Sequence, residues 1–262
     1  MPTVRDILEY VQALAPLSMK EDWDRVGLNC GHLDQPVTKI LVALDPFYHV
    51  CREAKEMGAQ LLVTHHTLLW EPGFLTDETE QGRCALFLIE NGIAHLNAHT
   101  NLDQAPGGVN DCLAARLGLE SVRVLKPLGR DEQGRELGLL RGGYVREQSL
   151  PQFAAQVKKA LSCEGVRYVS GGKPVRYVAV GGGSCGSEMG DALAAGCDTF
   201  VTSDIKYNQF WEARALGLNL IDAGHFYTEN PVVDCLAAAI ADKFPEIVVK
   251  KSETHWDCVK FL

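Results

Sequence analysis

The chain has 262 residues, 46% of them hydrophobic and 23% charged, a composition typical of a soluble globular protein that buries a sizeable core. Its formal net charge of −9 argues against non-specific nucleic-acid binding, which needs a basic surface. No apolar run approaches the roughly 18 residues of a membrane span. Nine scattered cysteines without a CxxC pair indicate reduced thiols and a cytoplasmic protein.

Helix and strand signals alternate from the first residue onward. The opening "MPTVRDILEYVQALAP" predicts an amphipathic helix with Thr3 as its N-cap, and its acidic residues argue against a signal peptide. A strand "KILVALD", a helix "PFYHVCREAKEMG" and a strand "AQLLVTHH" follow, and "VRYVAVGGG", "SEMGDALAAG" and "CDTFVTSD" repeat that order later. Two β-α-β units predict parallel pairing and the α/β class.

The two halves of the chain also resemble each other. "EMGAQLLVTHH" matches "AAGCDTFVTSD", and each half closes with a helix that contains "DCLAA", at 111–115 and at 234–238. We interpret this as an internal duplication, against the alternative of chance similarity between ordinary β-α-β segments. The polar stretch "LGRDEQGRELG" near residue 130 predicts the join, which gives a first repeat over 1–128 and a second over 129–262.

Polar side chains collect at the ends of the predicted strands, where α/β proteins build their sites. They are His65 and His66, His99 and Asp103, Ser203 and Asp204, and His225 and Glu229.

The adjacent histidines indicate a metal site. Since the chain leaves the sheet at a strand end, His65 and His66 can diverge, which suits two ions roughly 3.5–4 Å apart better than one. His225 and Glu229 would share a helix face, with Pro231 placing the helix start near Glu229. Imidazole and carboxylate ligands suit Zn, Fe, Mn, Co or Ni. The alternatives are ordinary buried histidines, or a mononuclear site in which one of the adjacent pair is structural.

A glycine-rich stretch, "GGGSCGS" at 181–187, lies between a predicted strand and helix. It could cradle a phosphate on helix N–H groups. Because it is neither a GK[ST] loop nor GxGxxG, a tight β-to-α turn is the alternative.

Several stretches together resemble one known family, in order and nearly along the whole chain: "EDWDRVGLNCG", "KILVALD", "LLVTHHTLLW", "AHLNAHTNLDQAPGGVND", "VAVGGGSCGS", "TFVTSDIKYN" and "IDAGHFYTE". This is the Nif three-like dinuclear-metal hexameric family, some of whose members carry the name GTP cyclohydrolase I type 2. The resemblance implies two intertwined, duplicated α/β repeats with mixed, mainly parallel sheets. It also implies a toroidal homohexamer with two divalent metal ions per subunit facing the central cavity.

The resemblance further implies the ligand set, which is His65, His66, Asp103, His225 and Glu229, with Glu229 bridging the ions. His99 matches a residue close to the metals. Two positions depart from the family pattern: Asn208 stands where many relatives carry histidine, and Cys185 where glycine is common.

Two functions remain open from the sequence. A metal-dependent hydrolase would activate a water and act on a small molecule, GTP being suggested by the family name alone. Asp204, His99 and Tyr227 are then candidates for proton transfer. The alternative is a non-catalytic ring protein that stores or delivers metal, or regulates a partner.

Overall fold

The computed structural model describes residues 1–71, 73–131 and 133–262. In chain order, the helices are α1 (Val4–Leu14), α2 (Tyr48–Met57), α3 (Glu80–Glu90), α4 (Thr100–Gln104), α5 (Val109–Arg116), α6 (Leu150–Leu161), α7 (Met189–Ala194), α8 (Tyr207–Ala215), α9 (His225–Glu229) and α10 (Pro231–Lys243). The strands are β1 (Gly27–Cys30), β2 (Lys39–Ala43), β3 (Leu61–Thr64), β4 (Ala94–Asn97), β5 (Glu120–Arg130), β6 (Glu136–Gln148), β7 (Arg167–Val169), β8 (Val175–Val180), β9 (Thr199–Thr202), β10 (Asn219–Asp222) and β11 (Val248–Lys251).

The chain divides into two compact units. Unit 1 comprises Met1–Ala105 and Val233–Trp256, and unit 2 comprises Pro106–Val232 and Asp257–Leu262. Helix α5, with the first "DCLAA", thus belongs to unit 2, whereas nearly all of α10, with the second, belongs to unit 1. Each sequence repeat gives its last helix to the other unit, which is the predicted intertwining. The repeat limits themselves, 1–128 and 129–262, stay a prediction.

Each unit is built on one mixed sheet. In unit 1 the strand order is β1-β4-β3-β2-β11, with β1 antiparallel to β4 and the other neighbours parallel. In unit 2 the order is β5-β6-β8-β9-β10-β7, with β8, β9 and β10 parallel and β7 antiparallel to β10. Both sheets therefore share three parallel strands, β4-β3-β2 in unit 1 and β10-β9-β8 in unit 2, with an antiparallel strand that precedes them in sequence on the side of β4 and of β10. In unit 1, β11 adds a fourth parallel strand. This shared topology confirms the predicted α/β class and its duplication.

Strand β3 shows how the sequence places the future site. All four of its residues are buried, because the strand lies between β2 and β4 in the sheet and helices α2 and α3 pack on one face. Leu61, Leu62 and Val63 form the continuous apolar run that is typical of a buried strand in a parallel sheet. His65 and His66 follow directly, so they leave the sheet between the ends of its two neighbours.

Local capping explains the predicted helices. Helix α1 begins with a capping box, in which the Thr3 hydroxyl accepts from the Asp6 N–H at 3.4 Å and the Asp6 carboxylate accepts from the Thr3 N–H at 2.7 Å. The helix buries Val4, Ile7 and Val11, as the periodicity predicts. Among the described residues, no helix combines the length and the apolarity that crossing a bilayer requires.

The predicted join near residue 130 lies inside unit 2, between strands β5 and β6. Strands β5 and β6 are antiparallel and pair Arg130 with Glu136, and an Asp131 carboxylate oxygen accepts from the Arg135 N–H at 2.8 Å. Glu132 falls outside the described residues.

Candidate metal centre

His65 and His66 diverge as soon as strand β3 ends. The His65 Nδ1 lies 2.9 Å from the Ala98 carbonyl oxygen, beyond the end of β4. The His66 Nδ1 lies 2.6 Å from Asp45 Oδ1, beyond the end of β2. One ring is therefore tied to each neighbouring strand, while the ring centroids stay 4.8 Å apart. The predicted divergence at the strand end is confirmed.

Helix α4 brings His99 and Asp103 to the same place. His99 is the N-cap of this short helix, and its Nδ1 lies 2.9 Å from Asp24 Oδ1. The other Asp24 oxygen accepts from the Thr100 N–H at 3.0 Å and from the Thr100 hydroxyl at 2.5 Å. One turn later, Asp103 Oδ1 lies 3.6 Å from His65 Nε2. Four of the predicted strand-end residues thus meet inside unit 1.

Three imidazoles of this cluster could hold a metal ion. His65, His66 and His99 each offer a ring nitrogen, and these atoms lie within 4.8 Å of one another. Each Nδ1 faces a carbonyl or a carboxylate oxygen, which makes Nδ1 the protonated nitrogen and leaves the Nε2 lone pair available. Metal-binding histidines are oriented in this way by partners around them. The donor set of unit 1 therefore fits a divalent cation.

The two carboxylates behind the cluster stay ionised. Burial raises the pKa of Asp24, but hydrogen bonds from His99 and Thr100 outweigh it and hold that pKa well below its usual range. The pKa of Asp45 is likewise held low, since hydrogen bonds from His255 and His66 outweigh its burial. An ionised acceptor at Nδ1 raises the basicity of Nε2, which favours metal binding.

Two tryptophans cover His99. Trp23 and Trp70 are stacked with ring centroids 5.9 Å apart, and the Trp70 ring meets His99 edge-on at 5.3 Å. Since His99 is only 8% exposed, these rings limit the access of water to it.

In unit 2, helix α9 carries His225 and Glu229 on one face. The His225 Nε2 lies 3.0 Å from Glu229 Oε2, as the four-residue spacing predicts. The helix that runs through "PVVDCLAAAI" begins at Pro231, near Glu229 as predicted, but His225 and Glu229 lie on a separate short helix that starts after Gly224, with a φ of 84°. Pro231 then begins α10, in the first-turn position that proline tolerates.

Two carboxylates surround the His225 ring. Asp204 Oδ2 lies 2.7 Å from its Nδ1, and Glu229 lies at its Nε2. Burial disfavours the imidazolium, but the hydrogen bonds to Asp204 and Glu229 outweigh it and raise the pKa of His225 to about 11. This position thus attracts positive charge between two carboxylates. A buried Glu229, with only 4% of its surface exposed, fits a cation in the same way.

The glycine-rich stretch is a tight turn that holds Glu229. The N–H groups of Gly181, Gly182 and Gly183 donate to Val201 O, Asn110 Oδ1 and Thr228 Oγ1 at 2.8–3.0 Å. A Cβ on Gly183 would lie 2.1 Å from Glu229 Oε1, so only glycine leaves room for that carboxylate. Because the N–H groups of its three glycines are bonded inside unit 2, the structure favours the tight-turn alternative over a phosphate cradle.

The other candidate residues of unit 2 have structural partners. The Ser203 hydroxyl donates to the Gly183 carbonyl at 2.6 Å, and the Cys185 thiol lies 3.2 Å from the Gly182 carbonyl. The Tyr227 ring packs against the apolar core of unit 2, and burial raises the pKa of its hydroxyl. Asn208 is exposed in the first turn of α8. Of the proposed proton-transfer residues, Asp204 contacts His225, and the partly buried Tyr227 packs against the core.

Sequence reasoning missed Asp45 and Asp24, the carboxylates that orient the His66 and His99 rings. Asp45 directly follows strand β2 in "KILVALD", so the strand-end rule that found His65 would also have found it. Asp24 precedes β1 in a loop, and nothing local to it points to His99, which lies 75 residues further on.

Comparisons of sequence and of structure show which known proteins this chain resembles. A sequence profile of the family described as Duf34/NIF3 (NGG1p interacting factor 3) matches residues 2–257. A Clostridium perfringens protein named GTP cyclohydrolase 1 type 2 homolog is 34% identical over 256 residues, or 95% of this chain and 96% of its own. A Streptomyces coelicolor protein of the same name is 40% identical over 251 residues, or 92% of this chain and 86% of its own. The crystal structure of a Bacillus cereus protein related to NIF3 superposes with a TM-score of 0.93 at 26% identity, covering 100% of this chain and 99% of that one.

Proposed function

This chain belongs to the Duf34/NIF3 family, and from that premise we propose that it binds two divalent metal ions and hydrolyses a small molecule with them. The proposed ligands are His65, His66, Asp103, His225 and Glu229, with Glu229 bridging the ions. Zn, Fe, Mn, Co and Ni all suit this set of imidazoles and carboxylates.

One observation carries the proposal. Each of the histidines in question has its Nδ1 held by an oxygen, which is Ala98 O for His65, Asp45 for His66 and Asp204 for His225. A core histidine needs no such common arrangement, whereas a histidine that binds metal through Nε2 carries its proton on Nδ1. His95, a fully buried histidine of strand β4, provides the contrast, because its Nε2 faces the Thr64 hydroxyl at 2.8 Å, whereas the Nε2 of His225 faces Glu229, itself a proposed ligand, at 3.0 Å.

The chemistry proposed for this site is hydrolysis. Two bound divalent ions would supply a water of lowered pKa and polarise the bond that it attacks. His99 is the residue proposed to carry the proton, at its Nε2, because Asp24 holds the proton on Nδ1 and stabilises the imidazolium that would form. The stacked Trp23 and Trp70 would keep bulk water away from this step.

The substrate class is proposed from the names of the relatives. Those relatives are called GTP cyclohydrolase 1 type 2 homologs, and two Helicobacter pylori proteins at 29% and 30% identity are called GTP cyclohydrolase 1 type 2. On a purine nucleotide, water would add to the ring carbon between two nitrogens and the ring would open. The net charge of −9 supports a small molecule over a nucleic acid.

The proposed assembly is a homohexamer in the cytoplasm. The hexamer rests on the family resemblance, and the cytoplasm on the nine scattered cysteines without a CxxC pair.

The experiment is turnover by protein loaded with each metal in turn, assayed against GTP, other nucleotides, phosphodiesters and small amides. His99→Gln should keep the metal content of the wild type and lose roughly 10²–10⁴-fold in kcat, the usual contribution of a proton-transfer residue. His32→Gln, at an exposed histidine of the same unit, is the matched control. Full metal content without turnover on any substrate would favour the alternative, a ring protein that stores or delivers metal.

A further inference from the structure

The C-terminal segment 252–256 is tied to helix α2 through one side chain. The Glu53 carboxylate accepts from the hydroxyl of Ser252, from the N–H of Glu253 at 2.8 Å, and from the Thr254 hydroxyl at 2.7 Å. These partners lie about 200 residues away in sequence. Such a dense set of bonds fixes the backbone just before His255.

These hydrogen bonds hold the segment so that the His255 side chain lies in the interior of unit 1. Its side chain is 3% exposed, and its Nε2 lies 3.0 Å from Asp45 Oδ2. The rings of Phe47 and His49 flank it, with centroids 6.1 and 6.2 Å away. The ring is thus held in place by packing as well as by the carboxylate.

The Asp45 carboxylate therefore lies between two histidine rings. Its Oδ1 lies 2.6 Å from the His66 Nδ1, while its Oδ2 faces His255. A carboxylate held at one oxygen can rotate about its Cβ–Cγ bond, whereas one held at both cannot. The orientation of His66 thus depends on His255 through Asp45. His65 differs, because its Nδ1 is held by the main-chain carbonyl of Ala98.

We infer that His255 is a positioning residue: together with the Glu53 tie, it locks Asp45 and so fixes the tautomer and direction of the His66 ring. This inference rests on the proposed function only where it concerns metal. In the full dinuclear site, the ion bound by His66 should depend on His255, and the ion bound by His65 should not.

The first test needs no metal. Solid-state NMR of histidine-labelled, metal-free protein reports whether Nδ1 or Nε2 of His66 carries the proton, with His66→Gln assigning the signal. The wild type should show a single form protonated at Nδ1. His255→Leu and Glu53→Ala should both show a mixture of tautomers. His255→Gln keeps an amide N–H where Nε2–H stood and should restore the single form. Unchanged His66 signals in His255→Leu would overturn the inference, whatever the metal content of the protein.

The second test titrates Co²⁺ against a competing chelator. In His255→Leu, one of the two ions should bind roughly 10-fold more weakly, the lower end of the loss seen when partners of metal ligands are removed. The other ion should keep its affinity. If the variant bound both ions with equally reduced affinity, or both with unchanged affinity, the result would contradict a role specific to His66.

Lys251→Met is the matched control for both tests. It breaks the Lys251–Asp234 ion pair beside the same segment, at 2.6 Å, without touching Asp45. It should leave the His66 tautomer and both affinities unchanged. A wild type that binds fewer than two Co²⁺ ions would refute the dinuclear proposal, while the NMR test would still decide the role of His255.

Discussion

Replacing Gly183 with alanine tests whether the glycine-rich turn exists to position Glu229. The new Cβ would lie 2.1 Å from Glu229 Oε1 and 3.3 Å from the His225 ring. Since Oε1 is the far end of a side chain, the carboxylate would move, and its position 3.0 Å from His225 Nε2 would be lost.

The expected loss in free energy of unfolding has two parts, which a control variant can separate. Gly183 has a φ of 65°, and a left-handed alanine costs about 1–2 kcal/mol. Gly196 has a φ of 85° and no atom within 4 Å of its Cβ position, so Gly196→Ala should show this part alone. Loss of the charge-assisted hydrogen bond of Glu229 adds about 1.5–3 kcal/mol to Gly183→Ala.

The assay combines two measurements at equal protomer concentration, since assembly contributes to apparent stability. Urea unfolding of the metal-free variants should give the larger loss in free energy of unfolding for Gly183→Ala. Metal analysis after loading with Co²⁺ should show a strong loss for Gly183→Ala and none for Gly196→Ala. If the two variants lose the same stability and keep the same metal, the turn does not hold Glu229 as described.

Three further predictions concern other parts of the molecule. Glu229→Gln should lose nearly as much bound metal as Glu229→Ala by metal analysis, because a neutral amide does not offset the repulsion of two cations; wild-type content in the amide variant would contradict the bridge. Burial lowers the pKa of His95 to about 3, so its ring stays neutral in the fold and stability should fall as the pH drops from about 6.5 towards 3, by about 1.4 kcal/mol per pH unit for this one group. Urea unfolding between pH 7 and 5 should show a shallower loss for His95→Gln, and an unchanged slope would refute the assignment. In sedimentation, six copies of 28.7 kDa should run together at about 170 kDa, and a clean monomer would refute the ring.

Local sequence patterns predict the helices and the candidate ligands, because both depend on residues that are neighbours in the chain. Thr3 and Asp6 cap α1 across three residues, and His225 faces Glu229 across four. The strand-end rule works since parallel strands expose their carboxyl ends at one edge of the sheet. His65 and Asp103 were therefore within reach of the sequence.

Contacts between distant segments could not be predicted from the sequence, because they do not depend on neighbouring residues in the chain. Strand β11 pairs with β2 across about 200 residues, which moves most of α10 into unit 1, and no local pattern encodes that pairing. The β5–β6 hairpin was missed because β5 is mostly exposed and shows no apolar alternation. Asp24 lies 75 residues from His99, and His255 lies more than 200 residues from Asp45, so only the fold brings these pairs together.

The central claim is that His65 and His66 bind different ions, and metal analysis of purified, metal-loaded protein tests it most directly. The wild type should contain two ions per chain, and His65→Ala and His66→Ala should each keep about one. The divergence of the two rings, one towards Ala98 and the other towards Asp45, is the basis of this expectation. One ion in the wild type, or two ions in either variant, would contradict it.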